Sequence, residues 1–277
     1  MSAISRQGAL PDSFDLDAYL GRIRWRGPIR ADHATLAGLL RAHIAHIPFE
    51  NFDVLLGRGV RLELPALQAK LVGARRGGYC FEHASLFAAA LETIGFRPAR
   101  HAARVIAFRP PDQAPRTHMF LSVATEGVRY IVDPGFGLYA SPVPLKLDGT
   151  GVPPGAPTHR FVREGSSWVL YARRDEAMSP AWVSTLEAEH PIDFEVANHY
   201  TATHPASHFM NSILASAVTA DGRVNVMNRG LTRIRGGRAE KTELADRKAL
   251  RLLVGRHFGF DLPELETMRV PAVPEWS

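Results

Sequence analysis

The spacing of apolar residues changes once along the chain, near Phe96, and this change constrains the fold more than any other feature. Before it, four segments carry apolar residues at helical spacing, at 14–25, 31–46, 64–72 and 81–95. After it, short apolar and β-branched runs alternate with turn signals. We therefore predict an α+β chain in which a helical bundle is followed by an antiparallel β-barrel or sandwich.

The predicted strands are short and closely spaced. They cover 102–108, 117–124 and 128–132, and a hairpin joins 160–163 to 167–172. The last part of the chain is mixed, with strands at 215–220 and 223–227 and a final amphipathic helix at 243–258. We expect β-structure from residue 96 to about residue 200 and a smaller mixed unit after it.

The composition is that of an ordinary globular protein. The chain has 277 residues, of which 45% are hydrophobic and 22% charged, and this length suffices for one large domain or several small ones. A single cysteine excludes a disulfide within the chain. The first 17 residues lack the apolar core of a signal peptide, and no apolar run approaches membrane-spanning length. We expect a cytoplasmic protein.

The chain is mildly basic, with a net charge of +5 and a pI near 9.6. Its basic residues are scattered, and no run mixes arginines with aromatic residues as a nucleic-acid surface would. A weakly positive surface can attract an anionic small molecule such as a nucleotide-bearing cofactor. We expect neither a nucleic acid nor a membrane as a partner.

The only cysteine, Cys80, lies at a predicted helix start in Arg-Arg-Gly-Gly-Tyr-Cys-Phe-Glu (residues 75–82). The two glycines permit a tight turn with positive φ. Unpaired N–H groups and the positive end of the helix dipole would stabilise a thiolate there. A small buried hydrophobic residue is the alternative role of a lone cysteine. The local sequence leaves these two interpretations balanced.

An activated cysteine needs a base and a group that orients the base. Among twelve histidines, His118 stands out because it begins a predicted strand, and Asp133 ends the next strand before Pro-Gly. Adjacent antiparallel strands can bring these side chains together, and an acid after an apolar run is costly without a partner. Taken singly, Asp133 suits a turn initiator and His118 a half-buried strand residue.

Several separated motifs, in this order, closely resemble those of the arylamine N-acetyltransferases. They are Ile-Pro-Phe-Glu-Asn at 47–51, Arg-Gly-Gly-Tyr-Cys-Phe-Glu at 76–82, Thr-His at 117–118, Asp-Pro-Gly-Phe-Gly at 133–137, and Asn-His-Tyr-x-x-Thr-x-Pro-x-Ser-x-Phe at 198–209. The likeness extends from Tyr19 to Phe209, and the order Cys, His, Asp also resembles that of transglutaminase-like nucleophiles. Residues 210–277 match poorly.

The resemblance implies a three-part architecture with a papain- or transglutaminase-like Cys-His-Asp core. The parts are a helical bundle at 1–95, a β-barrel at 96–205 and an α/β lid at 206–277. It also implies N-acetylation of arylamines and arylhydrazines, a role in xenobiotic metabolism, by a ping-pong cycle. Acetyl-coenzyme A would donate the acetyl group, an acetyl-cysteine would form, and no metal would take part.

The resemblance also implies residue roles. Cys80 would accept the acyl group, His118 would act as its base, and Asp133 would orient His118. Three further sets are implied: a structural pair of Arg76 with Glu50 that locks the cysteine loop to the preceding helix, a cofactor-phosphate loop of Gly135, Phe136 and Gly137, and a substrate pocket lined by Phe49, Phe136 and Phe209.

The chain departs from the family pattern at two places near these motifs. His83-Ala84 stands where the family usually has an asparagine, and Pro134 stands where valine or alanine is more usual. These departures bear on cofactor affinity and substrate preference rather than on the type of reaction.

Other interpretations remain open from the sequence. A related amide synthase of natural-product biosynthesis or a cysteine hydrolase would share the same triad, and a non-catalytic protein could bind coenzyme A or an aromatic ligand. His204 and His208 have a ligand-like spacing, but the proline between them and the lack of further ligands argue against zinc. Whether the chain forms a homodimer is also open.

Overall fold

The computed structural model describes residues 14–148, 158–174 and 177–276. The first of these ranges opens with helices packed around one core. They are α1 (Leu16–Arg22), α2 (His33–His46), α3 (Phe52–Leu55), α4 (Leu64–Leu67), which continues as a π-helix (Gln68–Gly73), and α5 (Cys80–Ile94). A two-residue strand, β1 (Phe49–Glu50), lies between α2 and α3.

Local sequence sets the ends of these helices. The side chain of Asp32 caps α2 by accepting a hydrogen bond from the Thr35 N–H at 2.8 Å. Pro48 follows the end of α2 because it cannot continue the helical hydrogen bonding. Four helical segments were predicted and are present, although the third divides into α4 and the π-helix.

A seven-stranded antiparallel sheet follows the helices and forms the β-barrel of this α+β fold. Its strands are β2 (Pro98–Val105), β3 (His118–Thr125), β4 (Val128–Val132), β5 (Leu145–Lys146), β6 (His159–Glu164), β7 (Ser167–Arg174) and β8 (Ala177–Ser184). The strand order is β5-β4-β3-β2-β8-β7-β6. Because β3 pairs with β4 in a hairpin, the start of β3 lies beside the end of β4.

The C-terminal part is a second antiparallel sheet covered by a helix. It contains β9 (Leu214–Thr219), β10 (Gly222–Met227), β11 (Gly230–Arg235), β12 (Arg238–Glu243) and α8 (Arg247–His257). Its edge is completed by β1, since Phe49 pairs with Ser216 and Glu50 with Ala215. The N-terminal segment beside the cysteine loop is therefore hydrogen-bonded directly to the C-terminal sheet.

One expectation about secondary structure was wrong. Residues 96 to about 200 were expected to be β-structure, but Pro191–Thr203 forms a helix, α6, and His208–Asn211 forms a short helix, α7. Proline suits the first turn of α6, whereas Ile192 and Val196 are exposed, so the segment lacks the clear apolar stripe that would have marked it. The strands β8, β11 and β12 were also missed.

No helix in the described ranges combines the length and the apolarity needed to cross a membrane. The division of the chain at residues 95 and 205 stays a prediction. The pairing of β1 with β9 crosses that division, so the first and third parts belong to one hydrogen-bonded sheet.

Candidate active site

Cys80 is the first residue of α5 and is almost fully buried. Tyr79 precedes it as the helix N-cap in an extended conformation. The Cys80 sulfur lies 3.7 Å from the carbonyl oxygen of Thr117, the residue immediately before β3. The sequence placed the cysteine at the start of this helix, and the fold brings that start against the barrel.

The turn before Cys80 is not built as the sequence suggested. Gly77 and Gly78 have no positive φ; the left-handed residue of the turn is Arg75, with φ 55°. The glycines are needed for close approach instead. A Cβ on Gly77 would lie 2.1 Å from the Pro48 carbonyl oxygen, and one on Gly78 would lie 2.5 Å from a carboxylate oxygen of Glu82. The cysteine loop therefore packs directly on its neighbours.

His118 and Asp133 meet at the open end of the β3–β4 hairpin. His118 Nε2 donates a hydrogen bond to Asp133 Oδ2 at 2.8 Å, and both side chains are buried. The Cys80 thiol lies close enough to the His118 ring to interact with it electrostatically, and Nδ1 is the ring nitrogen that Asp133 leaves open to the thiol. The structure thus brings together the three residues for which catalytic roles were predicted.

The charge balance at His118 favours its protonated form. Burial by itself lowers the pKa of His118, but the Asp133 carboxylate and the contact with the Cys80 thiol outweigh burial and raise this pKa above its usual value. An imidazolium beside a thiol stabilises the thiolate. The arrangement can therefore hold Cys80 as a nucleophile next to a group that donates and accepts a proton.

Asp133 has two further partners. Trp182, on β8, donates its indole N–H to Asp133 Oδ2 at 3.1 Å, and the Gly135 N–H donates to Asp133 Oδ1 at 3.3 Å. Sequence reasoning missed Trp182, because it lies on a strand that the pattern did not reveal. Both carboxylate oxygens are occupied, so the side chain is fixed in one rotation.

A cluster of buried charged side chains packs against the cysteine loop. Arg76 donates to Glu50 Oε1 at 2.7 and 2.9 Å and to Asp53 at 3.0 Å. Lys70 bridges Asp53 at 2.7 Å and Glu82 at 2.8 Å. The Arg76–Glu50 pair that the resemblance implied is present as a contact, although Glu50 lies in β1 rather than in a helix.

Glu82 links this charge cluster to the nucleophile. Its second carboxylate oxygen accepts the Tyr79 N–H at 3.0 Å, one residue before Cys80. Burial raises the pKa of Glu82, and the nearby Lys70 ammonium opposes that effect, leaving the pKa at about 7. Sequence reasoning missed Lys70 and Asp53; the pairing of a rare lysine with a glutamate in the cysteine motif was the only available signal.

The loop from Asp133 to Gly137 passes over the cysteine helix. A Cβ on Gly135 would lie 2.7 Å from Cys80 Cα, so only glycine fits there. Because the Gly135 N–H donates to Asp133, the N–H groups of Phe136 and Gly137 are the ones in this loop without a hydrogen-bond acceptor in the described chain. The Gly137 and Leu138 carbonyls accept from Arg223 at 2.8 and 2.7 Å.

The three predicted pocket aromatics pack against the same hydrophobic core as Cys80. The Phe136 ring lies 4.8 Å from the His118 ring, centroid to centroid. Phe209 contacts Phe49 at 6.3 Å and Tyr79 at 5.4 Å. Phe136 therefore lies against the histidine, and Phe209 lies against Phe49 and against Tyr79 of the cysteine loop.

The two spaced histidines make different contacts. His204 stacks on Tyr200 at 4.4 Å, whereas His208 faces Phe108 at 6.3 Å. Across residues 14–148, 158–174 and 177–276, no group of three or more potential metal ligands is present. His83 and Pro134, where the chain departs from the family pattern, line a small cavity together with Phe49 and Gly137.

Comparison with known proteins gives the family. The sequence pattern of the N-acetyltransferase family matches residues 32–267. The arylamine N-acetyltransferase of Mycolicibacterium smegmatis is 39% identical over 267 residues, covering 94% of this chain and 97% of that protein. The Escherichia coli (strain K12) arylamine N-acetyltransferase is 34% identical, covering 90% of each chain.

Solved structures agree with these sequence matches. The arylamine N-acetyltransferase of M. tuberculosis superposes with a TM-score of 0.85 at 38% identity, covering 91% of this chain and 98% of that one. The Mycobacterium marinum arylamine N-acetyltransferase in complex with CoA gives 0.84 at 35% identity, covering 91% and 94%. Fold and sequence together define an acyltransferase. The chain belongs to the arylamine N-acetyltransferase family.

Proposed function

We propose that this protein transfers an acetyl group from acetyl-coenzyme A to an arylamine or arylhydrazine through an acetyl-Cys80 intermediate. The observation that carries the proposal is the placement of His118 between the Cys80 thiol and the Asp133 carboxylate. The names of the relatives support an arylamine as the acetyl acceptor. The M. marinum complex with CoA supports acetyl-coenzyme A as the acetyl donor.

In the first half-reaction, the Cys80 thiolate attacks the acetyl carbonyl carbon of acetyl-coenzyme A. The bond between that carbon and the coenzyme A sulfur breaks, and the departing sulfur takes the proton of the His118 imidazolium. One thioester replaces another, so little free energy is lost and the acetyl-enzyme stays reactive. The N–H groups of Cys80 and Phe81, at the start of α5, would stabilise the oxyanion.

In the second half-reaction, the neutral amine attacks the acetyl carbon on Cys80. His118, now neutral, accepts the proton that the amine nitrogen loses, and the Cys80 thiolate leaves with the electron pair of the broken C–S bond. Asp133 stabilises the imidazolium that forms, and its fixed position holds the ring in the required orientation. The cycle ends with the ion pair restored and no net change at the enzyme.

Two sets of groups near Cys80 would contact the substrates. The free N–H groups of Phe136 and Gly137 suit the phosphates of coenzyme A, because backbone donors in a glycine-containing loop form anion sites. Phe136, Phe49 and Phe209 suit a flat aromatic acceptor. Reaction without a metal, a cytoplasmic location and homodimer formation stay predictions from the sequence.

Initial-rate kinetics with acetyl-coenzyme A and an arylamine test this proposal. We expect parallel double-reciprocal lines as the fixed amine concentration is varied, because coenzyme A leaves before the amine reacts. Cys80→Ala should abolish N-acetylation. Release of coenzyme A at the full rate without any amine would instead indicate a hydrolase, and intersecting lines would exclude the acetyl-enzyme route.

A further inference from the structure

Three buried side chains form a hydrogen-bonded chain that the proposed mechanism does not use. The Tyr19 hydroxyl lies 2.8 Å from His43 Nδ1, and His43 Nε2 lies 2.8 Å from His83 Nδ1. His83 Nε2 then lies 3.1 Å from the Gly78 carbonyl oxygen and 3.2 Å from the Pro48 carbonyl oxygen. Tyr19, His43 and His83 are fully buried, and they come from α1, α2 and α5.

The carbonyl oxygens at one end fix the direction of every bond in this chain. A carbonyl only accepts, so His83 carries a proton on Nε2, and in the neutral ring its Nδ1 must then accept. His43 therefore donates from Nε2 and accepts at Nδ1, and the Tyr19 hydroxyl is the donor to that nitrogen. Both rings are neutral Nε2–H tautomers, and each of their four nitrogens has a partner.

The surroundings oppose protonation of either ring. Burial lowers the pKa of His43 and of His83. The Pro48 and Gly78 carbonyls raise the pKa of His83, but burial, Lys70 and Arg22 outweigh them. On His43, His83 and Arg22 act in the same direction as burial. Uncharged rings also lie beside both histidines, Phe87 beside His43 and Phe49 beside His83. Burial also raises the pKa of Tyr19 well above its usual value, which keeps its hydroxyl a donor.

The hydrogen-bonded chain of side chains ends at the backbone of the cysteine loop, which sets the direction of the Cys80 side chain. Gly78 precedes Cys80 by two residues, and its carbonyl also accepts the Glu50 N–H at 2.8 Å. On the other side, a Cβ on Gly135 would lie 3.1 Å from His83 Cβ and 2.7 Å from Cys80 Cα, so the Asp133 loop rests on both residues. His83 therefore contacts the cysteine loop and the loop that carries the aspartate.

We propose that Tyr19, His43 and His83 form a neutral positioning chain that holds the Gly78 carbonyl and thereby aims the Cys80 sulfur at His118. The inference rests on the proposed role of Cys80 as nucleophile. His43 and His83 are positioning residues, since neither touches the reacting atoms.

Two measurements test the hydrogen-bonded chain of Tyr19, His43 and His83, and the first uses the wild-type protein. Long-range ¹H–¹⁵N spectra of histidine-labelled enzyme, assigned with His43→Gln and His83→Gln, should show two neutral Nε2–H rings between pH 6 and 8. A Nδ1–H tautomer or a doubly protonated ring at either position would overturn the proposal.

The second measurement is the rate at which iodoacetamide alkylates Cys80, the single cysteine of the protein. This reaction requires neither an acetyl donor nor an amine. His43→Leu leaves His83 Nδ1 without a donor, so His83 no longer holds the Gly78 carbonyl in place, and we expect about tenfold slower alkylation. The same variant should lower kcat similarly, with KM for acetyl-coenzyme A within about twofold. His43→Gln, which can both donate and accept, should recover most of each rate.

His46→Leu is the matched control, because His46 lies on the same helix and bonds only the Ala42 carbonyl of that helix through its ring. It should leave both rates unchanged. If His43→Leu does not fold, Tyr19→Phe removes only the terminal hydroxyl and should slow alkylation about threefold. Wild-type alkylation rates in folded His43→Leu or in Tyr19→Phe would contradict positioning. The expected alkylation response without any acetyl transfer would contradict the proposed function alone.

Discussion

Asp133 is the residue at which the candidate triad meets the barrel. Its carboxylate accepts hydrogen bonds from His118, Trp182 and the Gly135 N–H, so its position depends on β8 as well as on β4. The Trp182 indole stacks on Phe120 at 4.4 Å, which holds the indole N–H towards the carboxylate. The orientation of His118 thus depends on a residue more than sixty positions away along the chain.

Trp182→Phe removes that N–H and keeps an aromatic ring. A hydrogen bond to a charged group contributes about 1.5–3 kcal/mol, so we expect kcat to fall about tenfold with little change in KM. Steady-state acetyl transfer measures this, and Trp168→Phe is the control because Trp168 stacks on Phe161 in the same barrel, whereas the indole N–H that Asp133 accepts comes from Trp182. Equal kcat values in the two variants would show that the indole N–H does not position Asp133.

At the scale of elements, the π-helix Gln68–Gly73 places Lys70 between two carboxylates. The Lys70 ammonium lies 2.7 Å from Asp53 and 2.8 Å from Glu82, and it compensates their charge under the cysteine loop. Its removal would leave a buried carboxylate pair without a shared cation, which typically costs about 3–5 kcal/mol.

Lys70→Met should therefore lower the free energy of unfolding by about 3 kcal/mol, and more at pH 8 than at pH 6. The pKa of Glu82 is already raised by burial to about 7 with Lys70 present. A carboxyl group with a raised folded-state pKa stabilises the fold below its unfolded pKa, and that stabilisation is lost as pH rises through the folded value. Urea unfolding at both pH values tests this.

Lys248→Met, on the exposed side of α8, is the matched control for that experiment and should change stability by less than about 0.5 kcal/mol. If Lys70→Met were as stable at pH 8 as at pH 6, Glu82 would not depend on Lys70 for its charge.

Strong local sequence patterns predicted the helices and strands, but they could not predict the long-range contacts between them. The helices at 31–46 and 81–95 have clear apolar spacing and end signals, and the hairpin order brought His118 and Asp133 together. Nothing near Trp182 or His43 in the sequence points to the active-site loop, because each reaches it through tertiary packing. The glycines before Cys80 were expected to permit positive φ, whereas the structure needs them for close contact.

At the scale of the whole molecule, different buried histidines make the stability of the fold depend on pH in opposite directions. Burial lowers the pKa of His83 to about 4 and lowers that of His43, whereas the pKa of His118 is raised, because Asp133 and Cys80 outweigh its burial. A histidine with a lowered folded-state pKa stabilises the fold above its unfolded pKa near 6.5, and this is lost as pH falls. For His118 the stabilisation is instead lost at high pH.

We expect the free energy of unfolding to fall between pH 6.5 and pH 4.5, by about 1.4 kcal/mol per pH unit for each neutral buried histidine. His43→Gln removes one of these groups and should make the decline shallower. Urea titrations across this range measure it, with His204→Gln as the control because His204 is exposed. A wild-type slope unchanged by His43→Gln would contradict the neutral state of His43.

The most direct test of the account is the intact mass of the protein after brief exposure to acetyl-coenzyme A without an amine. The account predicts one added acetyl group on the wild type, none on Cys80→Ala, and loss of the group when an arylamine is added. An unmodified wild-type mass with no coenzyme A released, or an acetyl group that persists on Cys80→Ala, would contradict acetyl transfer through Cys80.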